Sequence, residues 1–153
     1  MGSTYPQLLD AVAALRDDAF TVTQYLTAHS EVGGRECESS RFVTEFLERH
    51  GCTVERNYMD YPYAFRAYRT DGGRPRAALM CEYDALPDIG HGCGHSLSCG
   101  ISVLAAMALD RVFPDSPWQI EFVGTPAEET ESAKCQLAAD GAPHNLHSNK
   151  RMD

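Results

Sequence analysis

The chain has 153 residues, enough for one domain with a hydrophobic core, and its 43% apolar and 23% charged residues are ordinary for a soluble globular protein. A net charge of −9 with no basic stripe argues against nucleic acid and against an anionic membrane surface as partners. The longest apolar run, 101–109, is too short to span a bilayer, and no basic segment followed by an apolar one opens the chain, so a cytoplasmic location is expected.

Leu8, Val12, Leu15, Ala19, Val22 and Leu26 recur at steps of four and three, one face of a long amphipathic helix. Phe42, Val43, Phe46 and Leu47 predict a second helix, with Ser39 or Ser40 as its cap and Gly51 as its stop. Residues 53–58 read as a strand, and Tyr63, Phe65 and Ala67 alternate as in another. Asp71-Gly72-Gly73 reads as a turn. The run 77–83 is apolar except for Glu82, which predicts a strand buried on both faces. Residues 97–112 predict a helix buried nearly all round, 118–123 a strand, and 130–139 a helix ended by Gly141.

Helices alternating with strands predict an α/β fold. Domain organisation is read as one domain over 1–142, followed by a polar tail at 143–153 that is expected to be poorly ordered. The six cysteines form no C-x-x-C pair, so reduced thiols are expected rather than a disulfide framework, and a thiol-redox role for Cys93 and Cys99 is disfavoured.

Two stretches carry chemistry, and both follow predicted strands. The first is Gly90-His91-Gly92-Cys93-Gly94-His95, in which glycine alternates with reactive side chains. Glycine permits unusual backbone angles, so the loop can turn a thiolate and an imidazole toward one metal ion, although a tight turn whose Cys and His merely pack has the same sequence. The second is Thr125-Pro-Ala-Glu128-Glu129. Adjacent carboxylates can divide the work, one binding a metal and the other taking a proton from the water it activates; acids in a first helical turn are the plainer alternative. Asp84 can hydrogen-bond a ligand imidazole, or simply cap a turn. In open α/β sheets, sites form beyond the carboxyl ends of strands, where these loops would converge.

Taken together, Cys81-Glu-Tyr-Asp84-Ala-Leu-Pro87, Ile89-Gly-His91-Gly-Cys93-Gly-His95 and Gly124-Thr-Pro-Ala-Glu128-Glu129 resemble the metal-dependent amidohydrolases of the aminoacylase and carboxypeptidase G superfamily. The branch is the one holding β-alanyl-lysine-type dipeptidases and aminobenzoyl-glutamate hydrolases. Ala28-His-Ser-Glu31-Val-Gly and 42–54 fit it too, so the resemblance covers roughly residues 8 to 141. It implies a three-layer zinc-peptidase-like catalytic domain. Cys93, His95 and Glu129 match the family's metal ligands, Glu128 its general base and Asp84 its supporting aspartate. His147 resembles the next histidine ligand. The implied cofactor is a divalent metal, Zn²⁺ or Mn²⁺, and the implied reaction is hydrolysis of a small amide or peptide, of N-acyl amino acid or dipeptide type.

Departures from the family pattern accompany the resemblance. Ser96 stands where Asp or Asn is usual, and Glu131-Ser132-Ala133 stand where glycines precede the lysine, here Lys134. The strand expected before His147 is missing, as are the lid and dimerisation domain and the last histidine ligand. The expectation is therefore a truncated catalytic domain with an incomplete site, which self-associates through surfaces left uncovered. The alternative is a non-catalytic fragment that binds metal weakly or associates with a full-length relative.

Overall fold

The computed structural model describes residues 4–69 and 75–142. Two helices come first, α1 (Tyr5–Ala28) and α2 (Cys37–Arg49). Strand β1 (Thr53–Arg56), a short 3₁₀ turn at Tyr58–Asp60, β2 (Phe65–Tyr68) and β3 (Arg76–Cys81) follow. The order closes with α3 (His95–Val112), β4 (Gln119–Gly124) and α4 (Ala133–Ala139). In the sheet the strands lie β1-β2-β4-β3. The β1–β2 and β2–β4 pairs are antiparallel, whereas β3 and β4 run parallel from Arg76↔Gln119 to Cys81↔Gly124. That parallel register matters for function: it ends both strands side by side, so the loops that leave them start as neighbours.

Side-chain alternation along the strands builds three layers. Leu79 and Cys81 of β3, Ile120 and Phe122 of β4, and Phe65 and Ala67 of β2 face a core completed by Val22, Leu26, Val43, Phe46, Leu47, Cys99 and Val103 of the first three helices. Ala78, Met80 and Val123 face the other way, onto Ala133 and Leu137 of α4. Each fully buried large aliphatic or aromatic side chain contributes about 1.5–3 kcal/mol. Helices α1 and α3 meet at Gly100, where any β-carbon would lie 2.3 Å from Thr23 Oγ1 and 2.9 Å from the Ala19 carbonyl oxygen. Only glycine lets the two backbones come this close.

Four expectations need correction. Helix α2 starts at Cys37, so Ser39 and Ser40 lie inside its first turn and do not cap it. The Glu31 carboxylate caps the helix from the preceding loop, accepting from the backbone N–H of Glu38 (3.1 Å) and Ser39 (2.7 Å). Strand β3 is not buried on both faces, for Ala77, Leu79 and Met80 are only half-buried. Among the described residues it is an edge strand, and a groove of about 560 Å³ lined by Leu79, Ile120, Ser98, Ser102 and Leu109 opens beside it. Helix α3 is likewise not apolar-buried all round, with Leu97 55% and Ile101 54% exposed on the flank that neither α1 nor the sheet covers. Helix α4 begins three residues later than predicted, because the Ala127 carbonyl collects the N–H groups of Thr130 and Ser132 in a turn and Ser132 adopts φ +50°. The expectations for 71–73 and 143–153 lie outside the described residues. No helix among the described residues is long and apolar enough to cross a membrane.

Candidate metal and base site

Three stretches of backbone bring the site together. Beyond β3 the chain is anchored by Tyr83, which is fully buried and donates its hydroxyl proton to the Tyr63 carbonyl at 2.6 Å. Ala85 N–H then donates to the Glu31 carbonyl at 2.7 Å, and Leu86 and Gly90 exchange hydrogen bonds across a narrow turn. The loop enters α3 through Gly94, whose φ of +91° is a left-handed conformation costly to any residue with a β-carbon. His95 is therefore the first residue of α3 and is buried. Beyond β4, Thr125 N–H donates to the Cys81 carbonyl at 2.9 Å, which continues the parallel pairing past the strand ends. The Glu128-Glu129 loop is thereby held against the Asp84 loop.

The donor atoms of Cys93, His95 and Glu129 lie within 4.8 Å of one another. A tetrahedral divalent ion bound at ~2.0–2.3 Å by sulfur, nitrogen and oxygen sets its ligands about 3.3–3.8 Å apart, so small side-chain movements suffice for this donor set to hold one. His95 Nδ1 donates to the Asp84 carbonyl at 3.0 Å and has Asp84 Oδ1 at the same distance. Nε2 is thus the nitrogen that faces the cluster. Asp84 is fully buried, and its Oδ2 accepts from the Glu129 N–H at 2.9 Å, so one residue holds the imidazole through its main-chain carbonyl and the backbone of the second loop through its carboxylate. His95 Nε2 lies 3.4 Å from Glu82 Oε2, 3.6 Å from Glu128 Oε2 and 3.8 Å from Glu129 Oε1. The Lys134 ammonium contacts Glu82 Oε1 and, at 3.2 Å, Glu128 Oε1.

Local electrostatics follow from this crowding. Partial burial, and then the Glu129 carboxylate, push the Cys93 thiol above its ordinary value, so a metal taking Cys93 must displace a proton. Burial alone would lower Lys134, but its hydrogen bonds to Glu82 and Glu128 outweigh that and hold the ammonium above its usual range. Burial pushes His91 below the usual imidazole range, and this residue does not join the ligand cluster.

Of the residues singled out by sequence, Cys93, His95 and Glu129 come together, with Glu128 and Asp84 beside them. His147 lies outside the described residues. Three further participants carry no role that sequence reasoning assigns. Glu82 stands out only as the single polar residue in an apolar run, a signal that could have found it. Lys134 is visible only by its place after the glutamates. Glu36 gives no signal: it is fully buried, and its Oε1 accepts from the Ala127 N–H at 2.5 Å. That contact fixes the backbone just before Glu128, where Ala127 holds a left-handed φ of +56°. Burial, partly offset by the Ala127 N–H, raises the Glu36 carboxyl above its ordinary value.

The same three-layer arrangement is found in solved structures. A protein from methicillin-resistant Staphylococcus aureus described as an aminohydrolase matches with a TM-score of 0.75 at 22% identity, over 90% of this chain and 39% of that one. A dinuclear metal-binding peptidase of the M20 family from Bacillus subtilis matches with a TM-score of 0.68 at 21% identity, over 84% and 40%. At these identities the likeness concerns the fold. No family model matches the sequence. Sequence relatives carry the comparison further. The Xaa-Arg dipeptidase of Homo sapiens is 33% identical over 143 residues, 82% of this chain and 33% of that protein. One of the polypeptides of the p-aminobenzoyl-glutamate hydrolase of Escherichia coli is 30% identical over 160 residues, 92% of this chain and 33% of that protein. The chain belongs to the metal-dependent amidohydrolase and peptidase superfamily of which these are members. It spans about a third of the length of these two relatives.

Proposed function

We propose that this chain carries the metal-binding and base-bearing part of an amide-hydrolysing site, with Cys93, His95 and Glu129 as ligands to a divalent ion, Zn²⁺ or Mn²⁺, and Glu128 as general base. The convergence of the three donor atoms within 4.8 Å is the observation that supports it. A bound divalent cation would polarise the scissile carbonyl and acidify the attacking water. The chain's own residues do the rest. Asp84 holds His95 in the tautomer that leaves Nε2 free. Glu128 Oε2, on the cluster side of its carboxylate, accepts the proton of the attacking water and delivers it to the departing amine. His147 is a fourth ligand candidate from sequence alone.

The relatives' names support a dipeptide or N-acyl amino acid as substrate. Six unpaired thiols suit a reducing compartment, the cytoplasm. The uncovered β3 edge favours self-association, which light scattering during size-exclusion chromatography reads directly; a concentration-independent monomer contradicts it. A second reading, a metal-binding chain without turnover, is favoured by the span of only a third of its relatives. Assaying the chain with added Zn²⁺ or Mn²⁺ against a panel of dipeptides and N-acyl amino acids separates the two. Negligible hydrolysis is the expected result. Metal-dependent turnover that disappears in Glu128→Gln would show that 153 residues suffice for catalysis.

A further inference from the structure

We propose that Lys134 is a positioning residue that keeps Glu128 a base and Glu82 a bystander by tying up one oxygen of each, leaving Glu129 as the carboxylate free to bind metal. The proposal rests on the reading of Cys93, His95 and Glu129 as ligands.

Three carboxylates face the same imidazole nitrogen. Measured from His95 Nε2, Glu82 (3.4 Å) and Glu128 (3.6 Å) come closer than Glu129 (3.8 Å). Proximity therefore does not explain why the third should be the ligand and the second the base. A cation set beside Nε2 would draw all three, and a base recruited as a ligand no longer has its lone pair for a proton.

Lys134 separates them. Its ammonium contacts Oε1 of Glu82 and Oε1 of Glu128, and both of those residues keep Oε2 toward His95. To close on a metal with both oxygens, either would have to give up its ion pair. Glu129 is held differently, through its backbone N–H to Asp84 Oδ2, and its carboxylate shares the cluster with Cys93 and His95. The lysine is itself fixed. It is the second residue of α4, just after Ala133, which is buried, and a turn in which Ser132 has φ +50°. Leu137, one turn on, anchors the helix in the core. An ammonium is a point charge with three donors and no acceptor, so it can bridge two carboxylates without competing for the metal.

The test uses the 153-residue chain and Zn²⁺ alone. Lys134→Met keeps the stem and removes the charge. With the clamp gone, Zn²⁺ should bind about tenfold more tightly, because two carboxylates lose their counter-charge. That gain should shrink when Glu128→Gln is added and vanish when Glu82→Gln is added as well, although Glu128→Gln alone leaves Zn²⁺ affinity within about twofold of wild type, as expected of a residue outside the ligand set. Lys134→Arg should restore wild-type behaviour. A lysine of purely structural use would weaken binding when replaced, or leave it unchanged, and either result overturns the proposal. A double-mutant cycle between Lys134→Met and Glu128→Gln, read by urea unfolding of the metal-free chain, should show coupling. Zn²⁺ binding without that coupling sinks the clamp alone; wild-type protein that binds no Zn²⁺ sinks the ligand assignment and the proposal with it.

Discussion

Strand β4 is flanked by two clusters of charge that use similar parts to opposite ends. In the middle of the sheet, fully buried Glu121 pairs with Arg66 and has Arg76 Nε at 3.4 Å, while Arg66 also reaches Glu55 at 2.9 Å and lies over the Tyr68 ring. Here each of these carboxylates meets at least one guanidinium. At the carboxyl end of the sheet, Glu82, Asp84, Glu128 and Glu129 surround one imidazole and, among the described residues, a single ammonium, Lys134. Packing carboxylates together is unfavourable unless a cation answers them. The first cluster supplies its own cations; the second has a surplus of negative charge among the described residues, which a divalent ion, as proposed, would balance. A buried acid is therefore not evidence of a site by itself; the imbalance is what supports the proposed one.

This contrast can be broken from either side. The largest effect is expected in the sheet. Arg66→Met removes the Arg66 pair of buried Glu121, leaving Arg76 at 3.4 Å, and should cost about 3–5 kcal/mol in urea unfolding, with Zn²⁺ affinity unchanged. A loss near zero would mean that Glu121 is not held as a buried charge. A smaller and opposite pattern is expected from Glu36. Glu36→Ala removes the hydrogen bond to Ala127 and should cost about 1–3 kcal/mol. It should also weaken Zn²⁺ binding severalfold, because the Glu128-Glu129 loop loses its anchor. Equal loss of metal affinity in the Arg66 and Glu36 variants would erase the distinction between the two clusters.

The smallest effect is a pH dependence, and its sign is set by burial. Burial raises the Glu36 carboxyl above its ordinary value, so the native state holds that proton more tightly than the unfolded chain does. The stability it contributes is full below the ordinary carboxylate range and is lost as pH rises through the raised native value. Urea midpoints followed across that range should decline in wild type and stay flatter in Glu36→Gln. A decline of the same size in both would assign the effect to another group.

Much of this contrast is legible in the sequence and some of it is not, for physical reasons. Helix and strand periods report which face of an element is apolar, and they locate α1, β4 and the two loops. Glycine alternating with Cys and His, followed downstream by paired glutamates, points to the residues that the fold brings together. Periodicity says nothing about which distant residue meets which. Glu31 capping α2, Glu36 reaching Ala127 and Lys134 reaching Glu82 all span loops or strands, so none leaves a local trace. The exposure of Leu97, Ile101 and half of β3 escapes the sequence for the same reason. An apolar run looks alike at the edge of a sheet and at its centre, and only strand order distinguishes them.

Equilibrium dialysis of the chain against Zn²⁺ at neutral pH tests most directly whether the unbalanced cluster is a metal site. Wild-type protein should bind the ion, Cys93→Ala, His95→Ala and Glu129→Gln should each weaken binding, and Glu128→Gln should leave it nearly unchanged. Affinity indifferent to Cys93, His95 and Glu129, or lost on changing Glu128 alone, would contradict the assignment.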